Sequence, residues 1–208
     1  MAGDLPLTLV IDSASPACSV ALIRGDAVLA EAHEVVGRGH AERLVPMIDR
    51  LLAGRRPDAI LVDCGPGSFT GVRVGIAAAQ GLRIGWQVPL AGYSSASLLA
   101  AAAAREPGAS IGVALQAGHG QLFVQGFGDD PLRPLDSLAS LPPAEAAGAV
   151  EARMVIGSGA AALVAARGWG EARDVLPRAA DARLLPLPLR SLAPKPIYGR
   201  APDARLPS

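Results

Sequence analysis

The chain is poor in aromatic residues, which make up 3% of it, in cysteine, with two in 208 residues, and in lysine, with Lys195 alone. A core without aromatic mass must be assembled from Ala, Val, Leu and Ile, and half of the residues are hydrophobic. Charge of neither sign prevails, since 19 basic residues face 19 acidic ones. Non-specific nucleic-acid affinity comes mainly from phosphate neutralisation, so this balance makes a poor stand-alone DNA or RNA binder. Cys18 and Cys64 stand in unrelated apolar contexts at neither a metal nor a redox spacing, and read as buried, inert thiols. The longest apolar run, around Leu98 to Ala104, falls well short of the roughly 18 residues of a membrane span. Asp4 and no basic stretch precede the first strand, so a signal peptide is not expected and the chain reads as cytoplasmic.

The stretch with most information is Gly65-Pro66-Gly67-Ser68-Phe69-Thr70-Gly71-Val72-Arg73-Val74-Gly75. It follows the apolar run Ala59 to Cys64, a buried strand by its composition, and opens a small-residue helix that ends near Gly85. Gly65, Pro66 and Gly67 form the turn, and Ser68 is placed to cap the helix. A glycine-rich turn at a helix start can also cradle phosphate. A Walker-type loop, however, needs a lysine after its second glycine, and a serine-hydrolase elbow needs glycine two residues either side of serine, where Pro66 and Thr70 stand. Within the helix, Gly71, Gly75 and Ala79 recur every four residues. That spacing makes one face open to close approach by another backbone, either of the chain's own sheet or of a second protein.

Ahead of this stretch, Leu5 to Ile11, Cys18 to Ile23 and Ala27 to Val35 read as a strand meander with a turn at Gly25-Asp26. From Gly39 the apolar positions Ala41, Leu44, Val45, Ile48, Leu51 and Leu52 take helical spacing, with Pro46 expected to kink the helix or confine its regular part. Val88 to Gly92 reads as a strand and Tyr93 to Ala104 as a helix, so this half is an α/β unit of mixed sheet. Arg105-Glu106-Pro107-Gly108 is the expected boundary, dividing the chain into an α/β lobe over 1–105 and a smaller lobe over 106–208. In the latter, Ile111 to Leu115 and Gln121 to Phe127 form a hairpin, Asp129 to Pro143 a loop, Arg153 to Ile156 a strand and Ser158 to Gly168 a helix. The proline-rich remainder from Pro177 is expected to lie on the surface or against a partner.

His33, His40 and His119 make no i, i+4 pair, so no metal set is expected; His40 reads as a solvated or capping residue. Asp12 closes the first strand, where α/β proteins often hold a metal or orient a phosphate, but with no second acidic partner in view an Asx turn with the following backbone is the preferred reading. Glu42 and Asp49 read as a solvated helix face.

Leu9 to Ala14, Ala17 to Leu22, His40 to Pro46 and Gly65 to Gly75, in this order, resemble the patterns of the TsaB (YeaZ) family; Ala79 to Leu82 and Gly92 to Ser95 continue the likeness, with a weaker echo at Pro196 to Arg200. The resemblance covers residues 5–105. It implies an actin-like, ribonuclease-H-like fold of two lobes and a non-catalytic role as the partner of TsaD, which transfers a threonylcarbamoyl group to N6 of adenosine 37 in tRNAs reading codons that begin with A. TsaE, an ATPase, joins that complex. The resemblance also implies contact with tRNA only through partners, no cofactor of its own beyond ATP at a joint surface, and a homodimer as the alternative to the TsaD pair. It places the partner surface on the helices from Gly39 to Ala53 and Ser68 to Gly85, with His40, Glu42, Leu44, Ile48, Ser68, Phe69, Thr70, Gly71, Val72, Gly75, Ala79 and Leu82 as its residues. Where relatives carry an Asp-Ala-Arg-Arg-like segment, this chain has Gln116 to Phe123 without the arginines.

Two other readings remain. A kinase or ATPase of the same fold would need a glycine-bearing first hairpin, and Ser13-Ala14-Ser15-Pro16 has none. A peptidase would need a nucleophile, base and orienter, for which Ser68 finds no partners in the sequence.

Overall fold

A computed structural model describes residues 5–104, 110–129 and 131–199. The elements are β1 (Leu7–Asp12), β2 (Ala17–Arg24), β3 (Ala27–Val35), α1 (His40–Leu52), β4 (Ala59–Asp63), α2 (Phe69–Trp86), β5 (Leu90–Tyr93), α3 (Ser95–Ala103), β6 (Ile111–Gln116), β7 (Leu122–Asp129), β8 (Leu132–Pro134), β9 (Ala139–Leu141), α4 (Pro143–Ala149), β10 (Met154–Ile156), α5 (Ala160–Arg167) and β11 (Glu171–Arg173). Short 3-10 turns follow at Ala179–Leu184 and Leu187–Arg190.

The first sheet has the order β3-β2-β1-β4-β5, antiparallel across β3, β2 and β1 and parallel across β1, β4 and β5. The second repeats that plan as β8-β7-β6-β10-β11, with β9 added on β7, again antiparallel on one side of β6 and parallel on the other. The repeat extends to the loops. Ser68 N–H donates to the Ala14 carbonyl at 2.7 Å in one half, and Gly159 N–H donates to the Ala114 carbonyl at 2.9 Å in the other. Each time, the loop after the fourth strand of the order is tied to the central strand, at its last residues or just beyond them.

Both faces of the first sheet are covered, which is why its strands read as nearly continuous apolar runs. Leu7, Leu9 and Ile11 point to α1 and α2, meeting Leu44, Met47, Ile48 and Ala79. Val10, Ala21, Ile23, Leu61 and Tyr93 point the other way, to Leu98 of α3 and to Ala179, Ala180, Ala182 and Leu185. α3 turns Ala96, Leu99, Ala100 and Ala103 toward Ile111, Val113 and Phe127 of the second sheet. An Ala-rich helix is narrow enough to be packed from both sides, so it joins the lobes.

The proline-rich segment therefore differs from expectation: residues 179–185 belong to the chain's own core and cover the first sheet. The stretch from Asp129 to Pro143 holds β8 and β9 rather than a loop alone. α1 runs through Pro46 without interruption. The boundary at Arg105-Glu106-Pro107-Gly108 lies outside the described residues, as does Arg200.

Candidate partner-binding face and the cleft between the lobes

Ser68 caps α2 as the sequence suggests, its hydroxyl accepting from Gly71 N–H at 3.2 Å. The small-residue stripe does its close packing inward. A Cβ on Gly71 would run into the Ser13 carbonyl oxygen, and one on Gly75 would lie 2.5 Å from Ser13 Oγ and 3.7 Å from Ile11 and Val62. Ala79 is fully buried in the same core. Gly71, Gly75 and Ala79 are thus the seat of β1 and its following loop on α2, and not a surface for a second protein.

Of the other residues expected at the partner surface, Leu44, Ile48 and Val72 are buried for the same reason, and Leu82 is half-buried. His40 is also buried, with Nε2 2.9 Å from the Ser15 carbonyl, and so fixes the loop after β1 in place of standing in solvent. Glu42, Ser68, Phe69 and Thr70 are exposed.

The outward face of the helix pair adds to Phe69 residues that the sequence reading did not name for it. Ile84 is 75% exposed, Phe69 61% and Val45 56%, large apolar side chains left in solvent on helices whose other face is seated on the first sheet. Ala77, Gly81 and Gly85 are exposed beside them, and added Cβ atoms at Gly81 and Gly85 would meet nothing within 4 Å. The spacing 77, 81, 85 repeats the 71, 75, 79 pattern on another side of the same helix. It was available in the sequence, but periodicity alone does not say which of two stripes faces the core.

Between the lobes lies a cleft of about 530 Å³, lined on one side by Ser15, Ser68 and Ser95 and on the other by Gln116, Phe123 and Ser158. Among the described residues that line it, none carries a charged side chain. Beneath it, two carboxylates close adjacent parallel strands, since Ile11 pairs with Val62 and Asp12 and Asp63 follow. Asp12 is wholly buried and Asp63 is 2% exposed. Tyr93 donates to Asp12 Oδ2 at 3.0 Å; Ser95 donates to Asp63 Oδ2 at 2.7 Å and Gly65 N–H to Asp63 Oδ1 at 2.9 Å. Burial raises Asp12 to about 6, against the opposing Tyr93 hydrogen bond and the Ala14 backbone. Burial, then the charge of Asp12, raises Asp63 well above its usual range. The turn reading of Asp12 is therefore incomplete: Asp63 is the acidic partner that the sequence hides, and its carboxylate also accepts from the backbone N–H two residues on. His119 is exposed on its turn, and among the described residues no group of three or more His, Cys, Asp or Glu could hold a metal.

A strand order of 3-2-1-4-5 built twice, with a cleft between equivalent loops, defines a two-lobed α/β protein of the actin-like, ribonuclease-H-like class. Within that class the chain belongs to the TsaB (YeaZ) family. It superposes on the solved structure of YeaZ from Pseudomonas aeruginosa with a TM-score of 0.72 at 32% identity, covering 86% of this chain and 90% of that one. It is 39% identical to the tRNA threonylcarbamoyladenosine biosynthesis protein TsaB of Escherichia coli over 121 residues, and 43% identical to that of Haemophilus influenzae over 101 residues. These matches take in 55% and 46% of this chain. The chain spans about half the length of these curated relatives, 52% and 42%. A family model described as TsaD: tRNA N6-adenosine threonylcarbamoyltransferase matches residues 32–130.

Proposed function

We propose that the chain is a subunit of tRNA threonylcarbamoyladenosine biosynthesis that contributes binding rather than chemistry, docking on TsaD through the outward face of α1 and α2. The observation that carries this is the exposure of Ile84, Phe69 and Val45 beside the open positions Gly81 and Gly85, a face with apolar area and room for a second helix. The names of the relatives supply the process, and the match of residues 32–130 to a TsaD model supports a pairing of like with like. The partner holds the transferase centre, tRNA reaches this subunit through it, and TsaE with its ATP joins the pair. The work is done in the cytoplasm.

The features of the cleft favour this over kinase or peptidase chemistry. A phosphate-transferring site needs cations or exposed carboxylates at its mouth, whereas Asp12 and Asp63 are sealed below it. The Ser68 hydroxyl is committed to its helix cap.

Calorimetric titration with TsaD tests the reading. Gly81→Trp and Ile84→Asp should each weaken binding at least tenfold while leaving the circular dichroism of the free protein unchanged. Undiminished binding by both variants would remove this face from consideration, and self-association abolished by the same changes would assign it to a homodimer.

A further inference from the structure

Residues 192–199 run across the molecule from the first lobe to the second. Leu192 and Gly92 exchange backbone hydrogen bonds at 2.7 and 3.0 Å, and Ile197 N–H donates to the Cys64 carbonyl at 2.7 Å. The segment then meets α2. Arg73 Nη2 donates to the Tyr198 hydroxyl at 3.0 Å, the Arg73 guanidinium stands 3.3 Å over the Phe69 ring, and the Phe69 and Tyr198 rings are 6.4 Å apart. One residue further, Gly199 lies so close to the second lobe that a Cβ on it would sit 2.6 Å from the Phe123 ring. Ile197, Tyr198 and Gly199 all line the cleft.

We propose that residues 192–199 form a releasable strap over the cleft, held shut by a surface latch in which Tyr198 is gripped by Arg73 and Phe69 of α2. The contacts are unequal in kind. At the near end the strap is fastened by backbone pairing to β5, which water reaches poorly. At the far end a single backbone bond, from Ile197 N–H to the Cys64 carbonyl, is backed by side chains that are exposed, Tyr198 at 57% and Phe69 at 61%. Exposed cation–π and hydroxyl contacts are individually weak, so this end opens first.

The chain carries its own reporter. Cys64 lies fully buried under the strap's near end, with its thiol 3.7 Å from the Ala193 carbonyl, so it is uncovered only when the strap, once unlatched at Tyr198, peels back as far as residue 193. Burial, then the neighbouring Asp63, pushes that thiol up to about 12, so it is unreactive while covered. Cys18 in β2 is equally buried in the core between the first sheet and α1, away from the strap, and reports whole-lobe unfolding.

The experiment is timed iodoacetamide labelling of the full chain at pH 8, resolved by peptide mass spectrometry. Tyr198→Ala and Arg73→Ala should each raise the labelling rate of Cys64 roughly three- to tenfold and leave that of Cys18 unchanged. An unchanged Cys64 rate in both variants would overturn the latch. A parallel rise at Cys18 would overturn it too, since the segment would then open only with the rest of the lobe. Either result is independent of TsaD binding, which the titration above reads separately.

Discussion

Ser13 Oγ donates to the Gly71 carbonyl at 2.9 Å, which seals the loop after β1 onto the first turn of α2. No side chain at position 71 can share that space, because a Cβ there would run into the Ser13 carbonyl. Gly71→Ala must push two backbones apart and should cost about 2–3 kcal/mol in urea unfolding. Gly81, on the same helix but facing open space, gives the opposite sign. Gly81→Ala removes glycine's conformational entropy from a helix interior and should stabilise by roughly 0.5–1 kcal/mol. Equal effects at the two positions would contradict the assignment of inner and outer faces.

The Ser68 hydroxyl accepts from Gly71 N–H and stands at the cleft. As a helix cap, its loss in Ser68→Ala should lower stability by about 1 kcal/mol. As a nucleophile, its loss would instead abolish peptide cleavage by the purified chain. The expected outcome is the stability change, with no cleavage before or after substitution.

Leu185 is 2% exposed and belongs to the cluster that covers the second face of the first sheet with Val10, Leu61 and Leu98. Truncating it leaves a cavity against β1, β4 and α3, all distant in sequence, so Leu185→Ala should cost about 2–4 kcal/mol. A partner-docking tail would tolerate the change with no shift in the urea midpoint.

These three cases show where sequence is informative and where it is not. The first meander was legible as apolar runs punctuated by polar and glycine turns, α1 by its helical apolar spacing, and α2 by its glycine turn and small residues four apart. β8, β9 and β11 have three residues each, and α4 has seven, too few for a period to register against flanking proline and glycine. The segment from Ala179 to Leu185 was misplaced because its turns are 3-10 and its core contacts are to β1, β2, β4 and α3. The stripe of Gly71, Gly75 and Ala79 was correctly seen as a place of close approach. What approaches is Ser13, and that identity lies in a distance of 58 residues which no local pattern encodes. Asp63 was equally hidden, since a carboxylate ending an apolar strand looks like a turn residue until parallel pairing sets it beside Asp12.

That carboxylate pair gives stability a pH dependence of definite sign. Asp12 is raised from its ordinary 3.8 to about 6 by burial, so between those values the folded chain holds a proton that the unfolded chain has lost. Stability therefore rises as pH falls from neutrality through about 6 and levels off near 4, by about 2–3 kcal/mol across the window. His33 works against this trend. Burial and, after it, Arg178 lower its affinity for a proton, so the unfolded chain is the better proton acceptor there and acid disfavours the fold. Comparing wild type with Asp12→Asn cancels the histidine. The variant keeps the shape and hydrogen-bonding reach of Asp12 without the charge, and it also relieves Asp63 of its second cause of perturbation. Urea unfolding at half-unit steps from pH 4.5 to 7.5 should show the variant at least as stable as wild type at the upper end, with the difference shrinking toward the acid end. A wild type that gains stability relative to Asp12→Asn as pH rises would mean that the carboxylate is held ionised, and that the pair is a favourable charge site instead of a buried proton store.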